Sequence, residues 1–411
     1  MALKRWMAAI ALAAATATPA AAQEATVVNF WTSGGESRAV AVLAKAYDKT
    51  GGKWVDVPAI GPQAEQALVL SRITGGDPPT AMQWSVGVPL RQLADQGLLN
   101  NVDALAKSAH WDQHLPPMVM KGITFDGHVY GAPVDIGGAN YMYYSTAVFQ
   151  KLGMHPPATW DQFFAAAPKI KAAGIIPLAF GANAQQENWL FMALLAGVGG
   201  ADVYRQVAVD HNAKVAGSDA VKRVFDAYGK LRQYVDAGSP NRKWNDTLDL
   251  VETNKAAFMI VGDWASGDFA ANKLQYGKDF GCELAPGTQG EYIMVADAFA
   301  FPKSSNKQQI ATQQKLATVL MNPEVQNAFN IYKGSLPALV NAGLNGIDPC
   351  AQLGHKVLSE GASHQLPHFF LVFTPNELGQ ISDLLAEYWT TPSMSAAAAT
   401  RRFGQIIGGA D

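Results

Sequence analysis

The sequence predicts an α/β protein made of two α/β regions. Strand and helix patterns alternate between residues 25 and 96, which is typical of a largely parallel sheet covered by helices. A glycine-punctuated, extended segment over 126–145 then interrupts the alternation, as a strand that crosses between two regions would. A second β segment returns at 292–301, and helices resume after it. These three observations define the fold class.

The first region alternates three strands with three helices. The helix after the first strand carries Val40, Leu43 and Tyr47 on one face, which is the spacing of an amphipathic helix. The next helix stops at Gly-Gly-Asp-Pro-Pro, residues 75–79, because glycine and proline do not continue a helix. The expected strands are 25–31, 55–57 and 80–84, and the expected helices are 37–48, 64–73 and 89–96.

The middle of the chain, from about residue 160 to 276, is predicted to be mainly helical. Thr159 is placed to cap a helix that runs from Trp160 to Lys171, with Phe163 on its apolar side. The second β segment and a helix over 308–320 follow. No repeat of fixed period and no long linker interrupts this order.

The first 22 residues are expected to be a secretory signal that does not join the fold. Lys4 and Arg5 form a positive start, residues 7–17 are apolar, and the alanines at 20–22 suit cleavage before Gln23. The apolar run of about 11 residues is too short for a membrane span, which needs roughly 20. We therefore expect an exported, soluble protein.

Composition and charge exclude several classes of function. The 411 residues are 49% hydrophobic and 16% charged, which is too apolar for a disordered protein and too low in charge for a coiled coil. A net charge of −3 argues against nucleic acid or an anionic membrane as the main partner. Ten tryptophans and 12 tyrosines supply many aromatic faces for packing or for binding.

Cys282 and Cys350 are the only cysteines, which excludes a disulfide-dense scaffold and a four-cysteine zinc module. In an exported chain two thiols usually pair, and closing this loop would contribute roughly 4 kcal/mol of stability. Two buried free thiols are the alternative. Neither cysteine stands beside a histidine, so no metal site is expected here.

Signatures of enzymes are absent from the sequence. It has no Gly-x-Ser-x-Gly elbow, no phosphate-binding glycine loop and no His-Glu-x-x-His motif. His364 and His368 have the spacing of metal ligands on a helix, but Pro367 breaks such a helix. The carboxylates at loops and strand ends that could flank a cleft are Glu36, Asp135, Asp263 and Asp297. A glycosidase needs two carboxylates about 5–9.5 Å apart, so a secreted carbohydrate-active enzyme stays as the alternative class.

Aromatic residues at the ends of predicted elements give the positive signal. Trp31 ends the first strand before a polar loop, Trp189 follows a run of amides, and Trp264 follows Gly262-Asp263. An indole ringed by polar groups suits a sugar, whose C–H face stacks on the ring and whose buried hydroxyls each need a partner. Core packing is the plainer alternative for any tryptophan, and we expect it for Trp54 and Trp160.

Polar residues in similar places complete the candidate set. Gln83 and Ser85 end a strand, Asp297 lies within an otherwise apolar strand, and Lys333 precedes Gly334-Ser335. Amide, carboxylate and ammonium groups are the partners that sugar hydroxyls require. The alternative for Asp297 and Lys333 is a purely structural ion pair.

At these residues the sequence resembles the extracellular solute-binding proteins of bacterial ABC sugar importers, particularly the glucose/mannose type. Each matching segment is short, but together they run in order across nearly the whole chain after the signal. The segments are 29–34, 75–79, 127–133, 156–163, 255–258, 262–264, 286–290 and 333–335.

The resemblance implies a periplasmic-binding-protein fold, in which two α/β lobes joined by hinge strands close on a ligand. We expect lobe one to comprise 24–132 and 291–330, and lobe two to comprise 133–290 and 331–411. The implied protein is a periplasmic monomer without a cofactor, which captures a small neutral sugar and delivers it to the permease of an ABC importer. A sugar sensor that feeds no transporter is the further alternative.

Matching segments also imply roles for residues. Trp31 and Trp264 would stack on the sugar, and Trp189 would line the pocket. The residues that would bind its hydroxyls are Glu36, Gln83, Asn140, Asp297 and Lys333. The chain departs from the family pattern at three positions. Thr32 and Ser85 stand where the family has a tryptophan and a histidine. The family also has a histidine near the position of Phe370, which His368, two residues away, could replace. The sugar is therefore left open among glucose, another hexose, a pentose and a small oligosaccharide.

Overall fold

The computed structural model describes residues 23–409. The predicted secretory signal, residues 1–22, lies outside the described part of the chain. Within residues 23–409, every helix is too short or too polar to cross a membrane.

The elements alternate along the chain much as predicted. The strands are β1 (Gln23–Asn29), β2 (Gly52–Pro58), β3 (Ala81–Ser85), β4 (Thr124–Phe125), β5 (His128–Val129), β6 (Gly131–Gly138), β7 (Tyr141–Ser145), β8 (Ile176–Ala179), β9 (Ala256–Val261), β10 (Phe280–Leu284), β11 (Tyr292–Ala300), β12 (Leu336–Pro337) and β13 (Gln365–Pro367). The helices up to residue 216 are α1 (Gly34–Asp48), α2 (Pro62–Thr74), α3 (Val88–Asp95), α4 (Asp103–Ser108), α5 (Trp111–His114), α6 (Pro117–Ile123), α7 (Thr146–Leu152), α8 (Trp160–Ala172), α9 (Ala184–Leu194), α10 (Ala201–Ala208) and α11 (Ala213–Ala216). The later helices are α12 (Asp219–Leu231), α13 (Trp244–Glu252), α14 (Ala265–Ala271), α15 (Lys307–Leu320), α16 (Pro323–Lys333), α17 (Pro349–Ser359), α18 (Phe369–Val372), α19 (Pro375–Thr390) and α20 (Ala396–Ile407).

A seven-stranded sheet, called here the larger sheet, is the frame of one lobe. Its strands lie in the order β12-β6-β11-β3-β1-β2, with β13 paired to β11. Strands β2, β1 and β3 are parallel, as their alternation with helices predicts. The expectation of a largely parallel sheet is wrong beyond β3, because β11 is antiparallel to both β3 and β6. A parallel pair of strands needs a crossover connection, usually a helix. Strand β11 comes directly from the other lobe without such a helix, so it can pair antiparallel to its neighbours.

A four-stranded sheet, the smaller sheet, is the frame of the other lobe. Its order is β10-β7-β9-β8, with β8 parallel to β9 and β7 antiparallel to both of its neighbours. Two of its four strands, β8 and β9, lie inside the segment 160–276 that was predicted to be mainly helical. Strand β9 reads Ala-Ala-Phe-Met-Ile-Val and is buried at every residue. A short, fully apolar run of this kind is typical of a strand that is covered on both faces.

The chain passes between the sheets at two crossings that touch each other. The first, at residues 139–140, follows β6 and lies within the extended segment 126–145 that the sequence analysis identified as a crossing. The second, 285–291, leads from β10 to β11. The Asn140 amide nitrogen donates to Thr288 Oγ1 and to the Glu291 carbonyl, both at 2.9 Å, and its oxygen accepts from the Ile293 amide at 2.9 Å. One side chain thus joins both crossings.

Two short strands late in the chain bear on the predicted lobe boundaries. Strands β12 and β13 pair into the larger sheet although they lie in 331–411, which the sequence analysis placed in lobe two; the lobe boundaries stay a prediction.

Cys282 on β10 and Cys350 at the start of α17 form a disulfide, with the sulfurs 2.05 Å apart. The pairing expected of an exported chain is therefore present in the structure.

Candidate functional site

The candidate site starts at the first turn of α1. The Ser33 hydroxyl accepts from the Glu36 amide at 3.3 Å, and the Glu36 carboxylate accepts from the Ser33 amide at 3.2 Å. This reciprocal capping box starts the helix at Gly34, earlier than the predicted residue 37. It also fixes Glu36 near the end of α16, where Glu36 Oε1 lies 3.8 Å from Lys333 Nζ.

The Lys333 ammonium lies between two indoles that come from different sheets. Trp31 follows β1 of the larger sheet, and Trp264 follows β9 of the smaller sheet. Lys333 Nζ is 5.5 Å from the centre of the Trp31 ring and 5.4 Å from that of Trp264. An aromatic face attracts a cation at this range. All three side chains are buried, so in this structure the two lobes close around them.

Other aromatic rings fix the two indoles. Trp189 on α9 packs against Trp264 with the ring centroids 5.1 Å apart. Trp31 packs against Phe299 at 5.8 Å and against Phe329 at 5.3 Å. The predicted pocket residue Trp189 therefore adjoins the site through Trp264.

Polar side chains on strands β3, β11 and β6 lie beside Lys333 and the two indoles. Asp297 is in register with Ser85, whose hydroxyl donates to its carboxylate at 3.3 Å. The Asp297 amide donates to Asp135 Oδ1 on β6 at 3.1 Å. The Gln83 side-chain oxygen accepts from the Phe30 amide at 3.2 Å, and the Gln83 side chain helps to stabilise the Asp297 carboxylate as an anion.

Burial and mutual charge set the ionisation of the cluster. Burial raises the pKa of Asp297, and it raises the pKa of Asp135 well above its usual range with the Asp297 charge as a second cause. Burial also disfavours the Lys333 ammonium, but the surrounding carboxylates, Glu36 first among them, outweigh it and raise the pKa of Lys333. The lysine is therefore a fixed positive charge at neutral pH.

Asp263, which immediately precedes Trp264, ties the smaller sheet to the larger one. Its carboxylate accepts from the Gly138 amide at 3.0 Å, from the Tyr292 hydroxyl at 3.1 Å and from the Ser335 hydroxyl at 2.9 Å. Burial raises the pKa of Asp263 to about 7 in spite of these donors. The sequence marked this residue only as a carboxylate that could flank a cleft, because its partners are far away along the chain.

Glu65 on α2 is a buried carboxylate that sequence reasoning missed. It is 2% exposed, and its Oε1 atom has no hydrogen-bond partner within the described residues. Burial, and next the charge of Asp297, raise the pKa of Glu65 well above its usual range. A glutamate in the first turn of a helix ordinarily faces solvent, so no local signal could have identified it.

Two predicted site residues are bonded elsewhere. The polar atoms of Asn140 make the contacts of the crossings described above. His368 caps α18: its Nδ1 accepts from the Phe370 amide at 3.0 Å, and its ring packs on Phe370 at 4.5 Å. Burial lowers the pKa of His368 to about 3, so the imidazole is neutral. The predicted residues that the structure gathers are Trp31, Glu36, Gln83, Ser85, Trp189, Trp264, Asp297 and Lys333.

Two α/β lobes and a buried aromatic and polar cluster with members from both define a two-lobed ligand-binding protein. The chain belongs to the bacterial extracellular solute-binding proteins, whose family profile matches residues 42–348.

Relatives and solved structures agree with this assignment. A probable sugar-binding periplasmic protein of Rhizobium meliloti is 36% identical over 86% of this chain and 85% of its own. A chitin oligosaccharide binding protein superposes with a TM-score of 0.81 at 17% identity, over 95% of this chain and 99% of its own. A solute receptor with an exclusive preference for β-D-galactopyranose superposes with a TM-score of 0.76 at 21% identity, over 93% of this chain and 97% of its own. The two structures support the fold.

Proposed function

We propose that this protein captures a small neutral sugar between its lobes in the periplasm and delivers it to the permease of an ABC importer. The predicted secretory signal would carry the chain there, and a monomer would suffice for the task. The relatives' names favour a sugar as the ligand. The proposed function consists of binding and delivery, without covalent chemistry.

The observation that carries the proposal is the pair of indoles, one from each lobe, with Lys333 between them. Aromatic faces stack on the C–H faces of a sugar, and the charged groups beside them bind its hydroxyls. A ligand held by Trp31 and Trp264 at once contacts both lobes only when they are closed. Binding therefore shifts the population toward the closed form.

The charges of the cluster favour a neutral ligand over an anionic one. Around the Lys333 ammonium stand several carboxylates: Glu36, Asp135, Asp263 and Asp297. An acidic sugar would add a further negative charge to a buried, already acidic site, where repulsion is weakly screened. Hydroxyl groups, in contrast, donate to carboxylates and accept from the lysine.

A sugar panel tests the proposal by thermal shift and tryptophan fluorescence, with D-glucose, D-galactose, D-mannose, D-xylose and a disaccharide, and with D-glucuronate as the anionic control. Micromolar affinity, about −8 kcal/mol, suits a binding protein. At 100 times Kd such a ligand adds about 2.7 kcal/mol to the stability of the folded state. At least one neutral sugar should raise the melting temperature, whereas D-glucuronate should not.

The outcomes separate the classes of protein. If no neutral sugar stabilises the chain, the proposal fails. If a disaccharide is cleaved during incubation, the protein is a carbohydrate-active enzyme. If a sugar binds but deletion of the gene leaves its uptake unchanged, the protein is a sensor that is not coupled to transport.

A further inference from the structure

Asp268 holds the N-terminus of α1. Its carboxylate accepts from the Ser33 hydroxyl at 2.9 Å, from the Gly34 amide at 3.1 Å and from the Gly35 amide at 3.4 Å. These amides are among those that a helix leaves without an internal partner. Burial raises the pKa of Asp268 to about 6 against these donors, so the side chain is an anion at pH 7.5 and complements the positive end of the helix.

The two sides of this contact are fixed to different lobes. Helix α14, which carries Asp268, lies between β9 and β10 of the smaller sheet, and its Phe269 ring stacks on Phe280 of β10 at 3.9 Å. Helix α1 is fixed to the larger sheet, where the Tyr47 hydroxyl donates to the Gln23 carbonyl of β1 at 3.1 Å. The bonds of Asp268 therefore run from one lobe to the other.

The backbones also approach each other closely here. A Cβ atom built on Gly35 would lie 2.5 Å from the carbonyl carbon of Gly267, so only glycine fits at position 35 in this arrangement. Arg38 adds a further bond between the helices, from Nη2 to the Gly267 carbonyl at 2.9 Å. The contact is a specific fit of two helix ends and not a loose encounter of surfaces.

We propose that Asp268 and the N-terminus of α1 form a latch that holds the closed state of the lobes without touching the sugar. This inference rests on the proposed function, because it assumes that the lobes open and close around a ligand. Asp268 is then a positioning residue. It binds the same cap, at Ser33, that fixes Glu36 beside Lys333.

The latch acts on affinity through the population of the closed form. When the lobes part, the α1 amides and the Asp268 carboxylate return to water, and their mutual bonds are lost. Removing a carboxylate that caps a helix is comparable to removing an ordinary helix cap, an effect of about tenfold on the closed population. The observed affinity for a ligand falls by the same factor as the fraction of competent protein.

A cysteine pair at the latch reports closure without any ligand. A Cβ atom built on Gly34 lies 3.3 Å from the Ala271 Cβ, so a Gly34→Cys/Ala271→Cys pair can form a disulfide only when the latch is closed. We would measure its rate of oxidation at pH 7.5 by mass spectrometry of the bridged peptides. In this background Asp268→Ala is compared with Asn306→Ala, whose side chain caps α15 within one lobe by accepting from the Gln308 and Gln309 amides.

The latch predicts that Asp268→Ala slows cross-linking about tenfold and that Asn306→Ala leaves the rate unchanged. Both variants remove a helix cap, so a merely structural role would lower their melting temperatures alike without separating their cross-linking rates. Equal rates in the two variants would overturn the proposal.

Sugar binding provides a second readout that separates the two proposals. For a sugar found in the panel, Asp268→Ala without the cysteines should raise Kd about tenfold, and Asn306→Ala should not. An unchanged Kd in Asp268→Ala would also overturn the latch. If the unmodified protein binds no sugar, the proposed function fails, and the cross-linking rates alone decide whether the latch exists.

Discussion

A buried ammonium is stable only where other groups replace the water that it has lost. Lys333 is 3% exposed, and its replacements are the Glu36 carboxylate at 3.8 Å and the faces of Trp31 and Trp264. The Lys333 charge in turn opposes the protonation of Asp297. These side chains fix one another, and this mutual dependence pre-arranges the donors and acceptors that a sugar would meet.

Trp264→Ala should raise the Kd for sugar at least tenfold, about 1.4 kcal/mol, because it removes the stacking face that one lobe contributes. Isothermal titration calorimetry measures the effect. Trp160→Ala is the matched control: this tryptophan packs on Phe163 in the core, so its loss should lower stability and leave Kd unchanged. Wild-type affinity in Trp264→Ala would remove this residue from the proposed site.

Which residues come together could be predicted where the local sequence carries the signal. Trp31, Trp264 and Lys333 were identified because each stands beside polar residues at the end of an element, and the structure brings them together. Asn140 was assigned to hydroxyls, but its amide bonds to the second crossing and to Ile293, about 150 residues later. Asp268 gave no signal, since its partners lie more than 230 residues away.

At the scale of elements, sequence periodicity identifies helices but does not give their exact starts or their pairing. The apolar stripe of α1 predicted residue 37 as its start, and the Ser33 cap moves the start to Gly34. Strands β2, β1 and β3 followed from alternation with helices. The antiparallel entry of β11 did not, because strand pairing across more than 200 residues leaves no local pattern.

The disulfide joins β10 to α17 and closes a separation of 68 residues. A Cys282→Ala/Cys350→Ala double variant should lower the free energy of unfolding by about 4 kcal/mol, because the unfolded chain regains the entropy of the open loop. Urea denaturation measures the difference. Wild-type protein that has been unfolded in reductant should match the variant, and the variant should not respond to reductant. A denaturation midpoint equal to that of oxidised wild type would show that the disulfide does not stabilise the fold.

The whole molecule buries carboxylates in places where ionisation is costly. Burial raises the pKa of both Glu187 and Glu252 to about 7, and it does the same for Asp263. Each of these groups binds a proton more tightly in the folded state than in the unfolded chain. Their shared contribution to stability is complete below the pKa of the unfolded groups, near 4, and is lost as pH rises through about 7.

We therefore expect the free energy of unfolding to fall between pH 5 and pH 8, and Glu187 gives the clearest test. Burial is the cause of its shift, and its Oε2 atom has no hydrogen-bond partner within residues 23–409. Glu187→Gln keeps the shape and removes the titration, so it should flatten the decline by ~2–3 kcal/mol across this range. Urea denaturation at several pH values measures the slope, with the exposed Glu360→Gln as control. If Glu187→Gln and wild type give parallel curves, the pKa of Glu187 is not raised in the folded protein. Water or a rearrangement of the neighbouring side chains must then stabilise its ionised form.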